Sequence, residues 1–133
     1  MEHSMYPASS VEAARKRKEL TPQTSAAFRA FSESVFAEGA LPAKMKQLIA
    51  VAVAHVTQCP YCIRGHTAQA LRDGATEQEL MEAIWVAAEM RAGGAYAHSN
   101  LAIDTMNQVR ARQSGSPASI FDASSTSSRT ASV

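Results

Sequence analysis

Three helix starts are written into the chain, and they constrain its fold more than any other feature. Thr21-Pro22 sets a capping hydroxyl before a proline, and Cys59-Pro60 repeats that arrangement with a sulfur. Thr76 followed by Glu79 forms a capping box. Gly39, Asp73-Gly74 and Gly93-Gly94 read as the matching stops. The spacing predicts a short helix over 11–20 behind Ser10, then one from Pro22 to about Glu38 and one opening at Leu41-Pro42. Further helices are expected from Pro60 to about Arg72, from Thr76 to about Arg91, and from about Ala95 to Arg112. The expected fold class is therefore all-α, a single-domain orthogonal or antiparallel bundle of about six helices.

Residues 48–56 read LIAVAVAHV, apolar nearly all round. A continuous apolar run also suits a buried strand, and Val51, Val53 and Val56 keep that alternative open. The preceding PAKMKQ and the alternating alanines favour a helix buried on most sides. The helix after Thr76 carries Leu80, Met81, Ile84, Trp85, Val86, Ala88 and Met90 over more than one face. A single domain of 133 residues has little interior for two such helices, so subunit association is expected. The organisation read from the sequence is an N-terminal arm with a short helix over 1–20, a helical domain over 21–112, and a Ser/Ala/Thr-rich tail over 113–133. The tail is poor in apolar residues and a candidate for disorder.

The formal net charge is +1, which leaves no electrostatic footprint for nucleic acid or a membrane surface. One basic run, Arg15 to Lys18, is flanked by Glu12 and Glu19 and reads as a solvated helix face. Residues 1–20 contain no apolar stretch suited to a signal peptide, and no segment approaches a membrane span, so the expected compartment is the cytoplasm. Structural disulfides are rare there, which makes a C-x-x-C pair more often catalytic or metal-binding.

The chemistry concentrates on that pair. With Cys59 at the cap and Cys62 at the third helical position, both sulfurs lie where unpaired N–H groups favour a thiolate. His66 follows Cys62 by one turn on the same face, placed to take the thiol proton and return it to a leaving group. Such a dithiol either reduces a peroxide through sulfenic acid and disulfide, or exchanges disulfides with a partner. The wider pattern His55-x3-Cys59-x2-Cys62-x3-His66 also offers four zinc ligands, although without the turns of a zinc module. No metal and no cofactor is expected. His55, inside an apolar helix, reads as a core histidine, His98 as structural or interfacial, and Tyr61 as a packing residue. His3 lies in the loose arm. The tetrad CPYC is similar to that of glutaredoxins, but a thioredoxin-like fold needs strands on both sides of it, and none is evident.

The stretch CPYCIRGHTAQALRDGATEQEL resembles the alkylhydroperoxidase D-like branch of the carboxymuconolactone decarboxylase family, over roughly Leu41 to Ala102. The resemblance rests on the cysteine pair, the histidine four residues after the second cysteine, and the GAT-x-x-E helix start. It implies an all-helical trimer or hexamer in which Cys62 is the peroxidatic thiol, Cys59 the resolving thiol and His66 the relay histidine. The implied partners are a hydroperoxide substrate and a separate thiol reductant protein. In that branch a glutamate twelve residues before the first cysteine drives the relay, and this chain carries Gln47 there. An amide orients a proton but cannot accept one. Either His66 acts without a carboxylate, or His55, Glu82 or Glu89 substitutes. Decarboxylase members lack the cysteine pair, so its presence speaks against ring-acid decarboxylation. Three activities remain open at this point: a thiol peroxidase or thiol–disulfide oxidoreductase, a zinc-binding or redox-sensing module, and an assembling subunit that has lost its chemistry.

Overall fold

The structure, a computed structural model, describes residues 4–115. His3 and most of the 113–133 tail lie outside the described residues. Among the described residues all regular structure is helical, in five elements: α1 (Val11–Leu20), α2 (Pro22–Phe36), α3 (Ala43–Thr57), α4 (Pro60–Arg72) and α5 (Glu77–Gln113). None of these helices is long and apolar enough to cross a membrane. The chain divides into two compact units, one running to Arg91 and one from Ala92 on.

Several helix ends form where the local chemistry requires. Ser10 Oγ accepts the Ala13 N–H at 3.0 Å and caps α1. α2 starts at Pro22, but Thr21 does not cap it as its position predicts: its hydroxyl donates backward to the Arg17 carbonyl at 3.1 Å. The preceding turn of α1 reaches the hydroxyl first, a local competition open to threonine. α3 begins behind Pro42, and its first N–H, from Ala43, donates to the Glu38 carboxylate at 3.1 Å. α4 ends on a glycine that needs its freedom: Gly74 has φ +91°, and the Gly74 and Ala75 N–H groups donate back to the Leu71 and Ala70 carbonyls. A Cβ at this position is strained.

The box at Thr76 closes reciprocally. The Thr76 N–H donates to Glu79 Oε2 at 2.8 Å, and the Glu79 N–H to Thr76 Oγ1 at 3.0 Å. Lys44 from α3 donates to the other Glu79 oxygen at 3.1 Å, tying the start of α5 to α3. The Thr76 N–H, followed by the Lys44 ammonium, lowers the Glu79 carboxyl below its ordinary range. A depressed carboxylate adds stability above its unfolded pKa, and that stability disappears as pH falls through the folded one. The melting temperature of Glu79→Gln should therefore depend less on pH than that of wild type below the ordinary glutamate range, as thermal melts in a pH series would read.

Two further sequence expectations are corrected by the helices themselves. Instead of about six helices the described residues form five, because α5 runs unbroken through Gly93-Gly94. Each glycine costs only about 1 kcal/mol relative to alanine inside a helix, and the alanine-rich flanks Ala87, Ala88, Ala92, Ala95 and Ala97 outweigh that cost. Without a proline, nothing forces a break. The second correction concerns α3, which is buried on one face rather than on most sides. Val51 and Ala54 are inside, whereas Ile49, Val53 and Val56 are each exposed by about half.

The hydrophobic core of the first unit sits where α3, α4 and the opening of α5 meet. Val51, Ala70, Ala75 and Leu80 form it, with Leu48 and Ile84 packed against it. α3 and α4 make a helical hairpin across a tight turn. Gln58 adopts a left-handed conformation (φ 56°, ψ 47°), and the Ala54 carbonyl accepts both its N–H and that of Cys59. That turn places the cysteine pair at the head of α4, beside the end of α3.

Candidate functional site

Cys59 is the N-cap of α4, with Pro60 as the first helical residue. Its sulfur accepts the Cys62 N–H at 3.3 Å, so the first turn of the helix organises around the pair. Cys59 and Cys62 are joined as a disulfide, with their Cα atoms 5.3 Å apart. Two intervening residues in a helical turn bring the sulfurs within bonding reach, as the motif predicts. Tyr61, between them, meets the Tyr6 ring edge-on with centroids 6.1 Å apart, so its role in the structure is packing against the N-terminal arm.

His66 lies one turn after Cys62 on α4 and half-buried. Two contacts hold its ring. Phe36, the last residue of α2, stacks on it with centroids 5.0 Å apart and planes 28° from parallel. Nδ1 donates to Gln47 Oε1 at 2.8 Å across the α3–α4 hairpin. Gln47 is a buried polar side chain, 6% exposed. Burial of an amide is unfavourable unless it is hydrogen-bonded, and His66 supplies that bond.

Cys62 and His66 together line an apolar cavity of about 400 Å³. One face of α3 forms its long wall: Lys46, Ile49, Ala50, Val53, Ala54 and Thr57 recur at helical spacing. Val35 and Phe36 close the side toward α2. The lone cation in the lining, Lys46, is already committed, since its ammonium donates to the Val35 and Ala37 carbonyls at 2.8 and 2.6 Å. It neutralises the C-terminal end of α2 and leaves the cavity predominantly apolar. Cys59 is not among the lining residues. The two sulfurs are therefore inequivalent, with Cys62 facing the cavity.

The other candidates lie elsewhere. His55 Nδ1 donates to the Val51 carbonyl one turn earlier, at 2.7 Å, and the ring does not line the cavity. Glu82 and Glu89 are exposed on α5 and likewise absent from the lining. His98 donates to the Gly94 carbonyl at 2.7 Å, a helix-internal bond. Among the described residues, no three His, Cys, Asp or Glu side chains converge in a way that holds a metal ion, so the His55–Cys59–Cys62–His66 pattern does not assemble as one site. Sequence reasoning missed Phe36 and the cavity wall. The wall was signalled by the i, i+3, i+4 recurrence starting at Lys46, but a helix assumed buried on most sides masks any one face.

Fold and site define a class: an all-helical protein with a redox-capable cysteine pair at a helix start and a histidine one turn on. The carboxymuconolactone decarboxylase family model matches residues 22–105, and the chain belongs to that family. The family includes decarboxylases and alkylhydroperoxidase-like members, and the present cysteine and histidine pattern is compatible with the latter branch. The chain is similar to an uncharacterized protein encoded in the cox locus of Paracoccus denitrificans, 64% identical over 83 residues, covering 62% of this chain and 75% of that one. An uncharacterized protein of Cupriavidus necator is 42% identical over 89 residues, covering 65% and 79%. Among solved structures, a protein from Methanobacterium thermoautotrophicum aligns with TM-score 0.59 at 41% identity, over 62% of this chain and 93% of that one. A carboxymuconolactone decarboxylase family protein from Legionella pneumophila, solved in its apo form, aligns with TM-score 0.57 at 33% identity, over 59% and 70%.

Proposed function

We propose that this protein is a thiol peroxidase that reduces organic hydroperoxides by cycling Cys59 and Cys62 between dithiol and disulfide. The observation that carries the reading is the shared exposure of Cys62 and His66 to one apolar cavity, with Cys59 set behind as the helix cap. In the reduced protein the Cys62 thiol gives its proton to His66, aided by the helix N-terminus that favours the thiolate. The thiolate attacks the peroxide oxygen: an S–O bond forms, the O–O bond breaks, and the departing alkoxide takes a proton to become the alcohol. Cys62 is now a sulfenic acid, oxidised by two electrons. The Cys59 thiol attacks that sulfur, the S–S bond forms and water leaves. A separate thiol protein then returns two electrons by disulfide exchange.

The apolar lining favours an alkyl or aryl hydroperoxide over hydrogen peroxide, because apolar contact with Ile49 and Val53 contributes roughly 0.8 kcal/mol per buried methylene. The reading places the protein in the cytoplasm, as a homo-trimer or homo-hexamer. Support for assembly comes from Trp85, Val86 and Met90, all more than half exposed on α5. The test is thiol counting on the reduced protein under a panel of peroxides. Two thiols should disappear per chain, with cumene hydroperoxide reacting faster than hydrogen peroxide. Both thiols persisting under every peroxide would end the peroxidase reading. If they are then lost to a protein disulfide instead, the protein is a thiol–disulfide oxidoreductase.

A further inference from the structure

The bond between His66 and Gln47 has a direction. An amide oxygen has no hydrogen to give, so the ring nitrogen facing it must carry one. A neutral imidazole holds a single ring hydrogen, and with Nδ1 occupied by it, Nε2 keeps the lone pair. Three features keep this arrangement in place. The amide is 6% exposed in the core, the hydrogen bond is 2.8 Å long, and Phe36 covers one face of the ring at 5.0 Å. With the hydrogen on Nε2 instead, the Gln47 amide would have to turn and donate its own N–H to Nδ1, or leave a buried oxygen without a donor at about 1–3 kcal/mol.

Resting on the thiol peroxidase reading, we infer that Gln47 is a positioning residue that locks His66 in the Nδ1–H tautomer and ends the proton relay at the imidazole. A carboxylate at position 47 could draw the Nδ1 hydrogen away from the ring; an amide cannot accept it. The proton removed from the Cys62 thiol therefore sits on Nε2 and leaves by the same nitrogen. As the S–O bond forms and the O–O bond breaks, Nε2–H delivers that proton to the departing alkoxide. Cys62 loses two electrons and the peroxide gains them. The thiol proton becomes the alcohol proton, and none is exchanged with a carboxylate behind the ring. Neither His55 nor Glu82 nor Glu89 lines the cavity to offer a competing route.

The tautomer can be read without turnover. In the uniformly nitrogen-15-labelled full chain, in its disulfide form and above the imidazole titration range, long-range proton–nitrogen correlation should show His66 with Nδ1 protonated and Nε2 bare. Gln47→Leu should populate both tautomers, and on reduction its Cys62 should be oxidised by cumene hydroperoxide about tenfold or more slowly than wild type. Gln47→Glu should retain Nδ1–H and move the pH profile of oxidation upward, because a carboxylate beside the ring favours the imidazolium. Wild-type His66 carrying its hydrogen on Nε2 overturns the inference, and that spectrum needs no variant to fold. An unchanged tautomer and rate in a folded Gln47→Leu overturns it equally. If instead the spectra follow expectation while no peroxide oxidises the wild-type thiols, the peroxidase reading falls and the tautomer lock stands.

Discussion

Cys62→Ser is expected to abolish peroxide-dependent thiol loss, lowering the rate by on the order of 10⁴-fold or more, as removal of a nucleophile does elsewhere. A serine hydroxyl neither ionises near neutrality nor accepts oxygen, so no sulfenic acid forms, even with the cavity and His66 intact. Cys59→Ser separates the roles of the two sulfurs. It should consume one equivalent of hydroperoxide at close to the wild-type rate and then stall, because the thiol that resolves the sulfenic acid is missing. Mass spectrometry should find Cys62 as sulfenic acid, advancing to sulfinic acid under excess peroxide. The asymmetry follows from geometry: Cys62 lines the cavity and Cys59 caps the helix behind it. Equal losses for the two variants in that first, single-turnover oxidation would contradict it.

The second large effect belongs to His66. Phenylalanine at this position preserves a ring against Phe36 but removes the base, so His66→Phe should slow Cys62 oxidation about 10²–10⁴-fold. The pH dependence of the remaining rate should follow the thiol alone. The substitution also strands Gln47, whose buried oxygen loses its donor at a cost of about 1–3 kcal/mol in stability. A double variant, His66→Phe with Gln47→Leu, should recover part of that stability and none of the rate. Stopped-flow oxidation and thermal unfolding on the same samples separate the two quantities. A single variant with wild-type oxidation kinetics would remove His66 from the mechanism.

The two halves of the site were not equally legible. The cysteine pair at the head of α4 and the histidine one turn later are local patterns, spanning at most a few residues, and the sequence shows both. The partner of His66 is nineteen residues away on another helix, and the ring that stacks on it ends a third. Family resemblance drew attention to Gln47 as a departure, but its hydrogen bond appears only when α3 and α4 fold against each other. The cavity is likewise a product of packing: its wall is one face of α3, and because LIAVAVAHV is apolar nearly all round, the recurrence from Lys46 does not by itself set that face apart as the uncovered one.

By itself the sequence determined where most helices begin and end. The box at Thr76 and Glu79, the cap at Cys59 and the left-handed Gly74 are each settled by hydrogen bonds within a few residues. Such bonds form with the same geometry whatever the rest of the chain does. It also determined the all-helical class, since helix-forming residues and starts recur without alternating strands. The tertiary structure decided the rest: which side of α3 is buried, and that His66 is held by Gln47 and Phe36. These are choices among long-range contacts, each closed only once chain entropy has been overcome by the packing of Val51, Ala70 and Leu80. Local rules place a sulfur at a helix start; the choice of base beside it, and of the nitrogen left free to act, depends on the packed core.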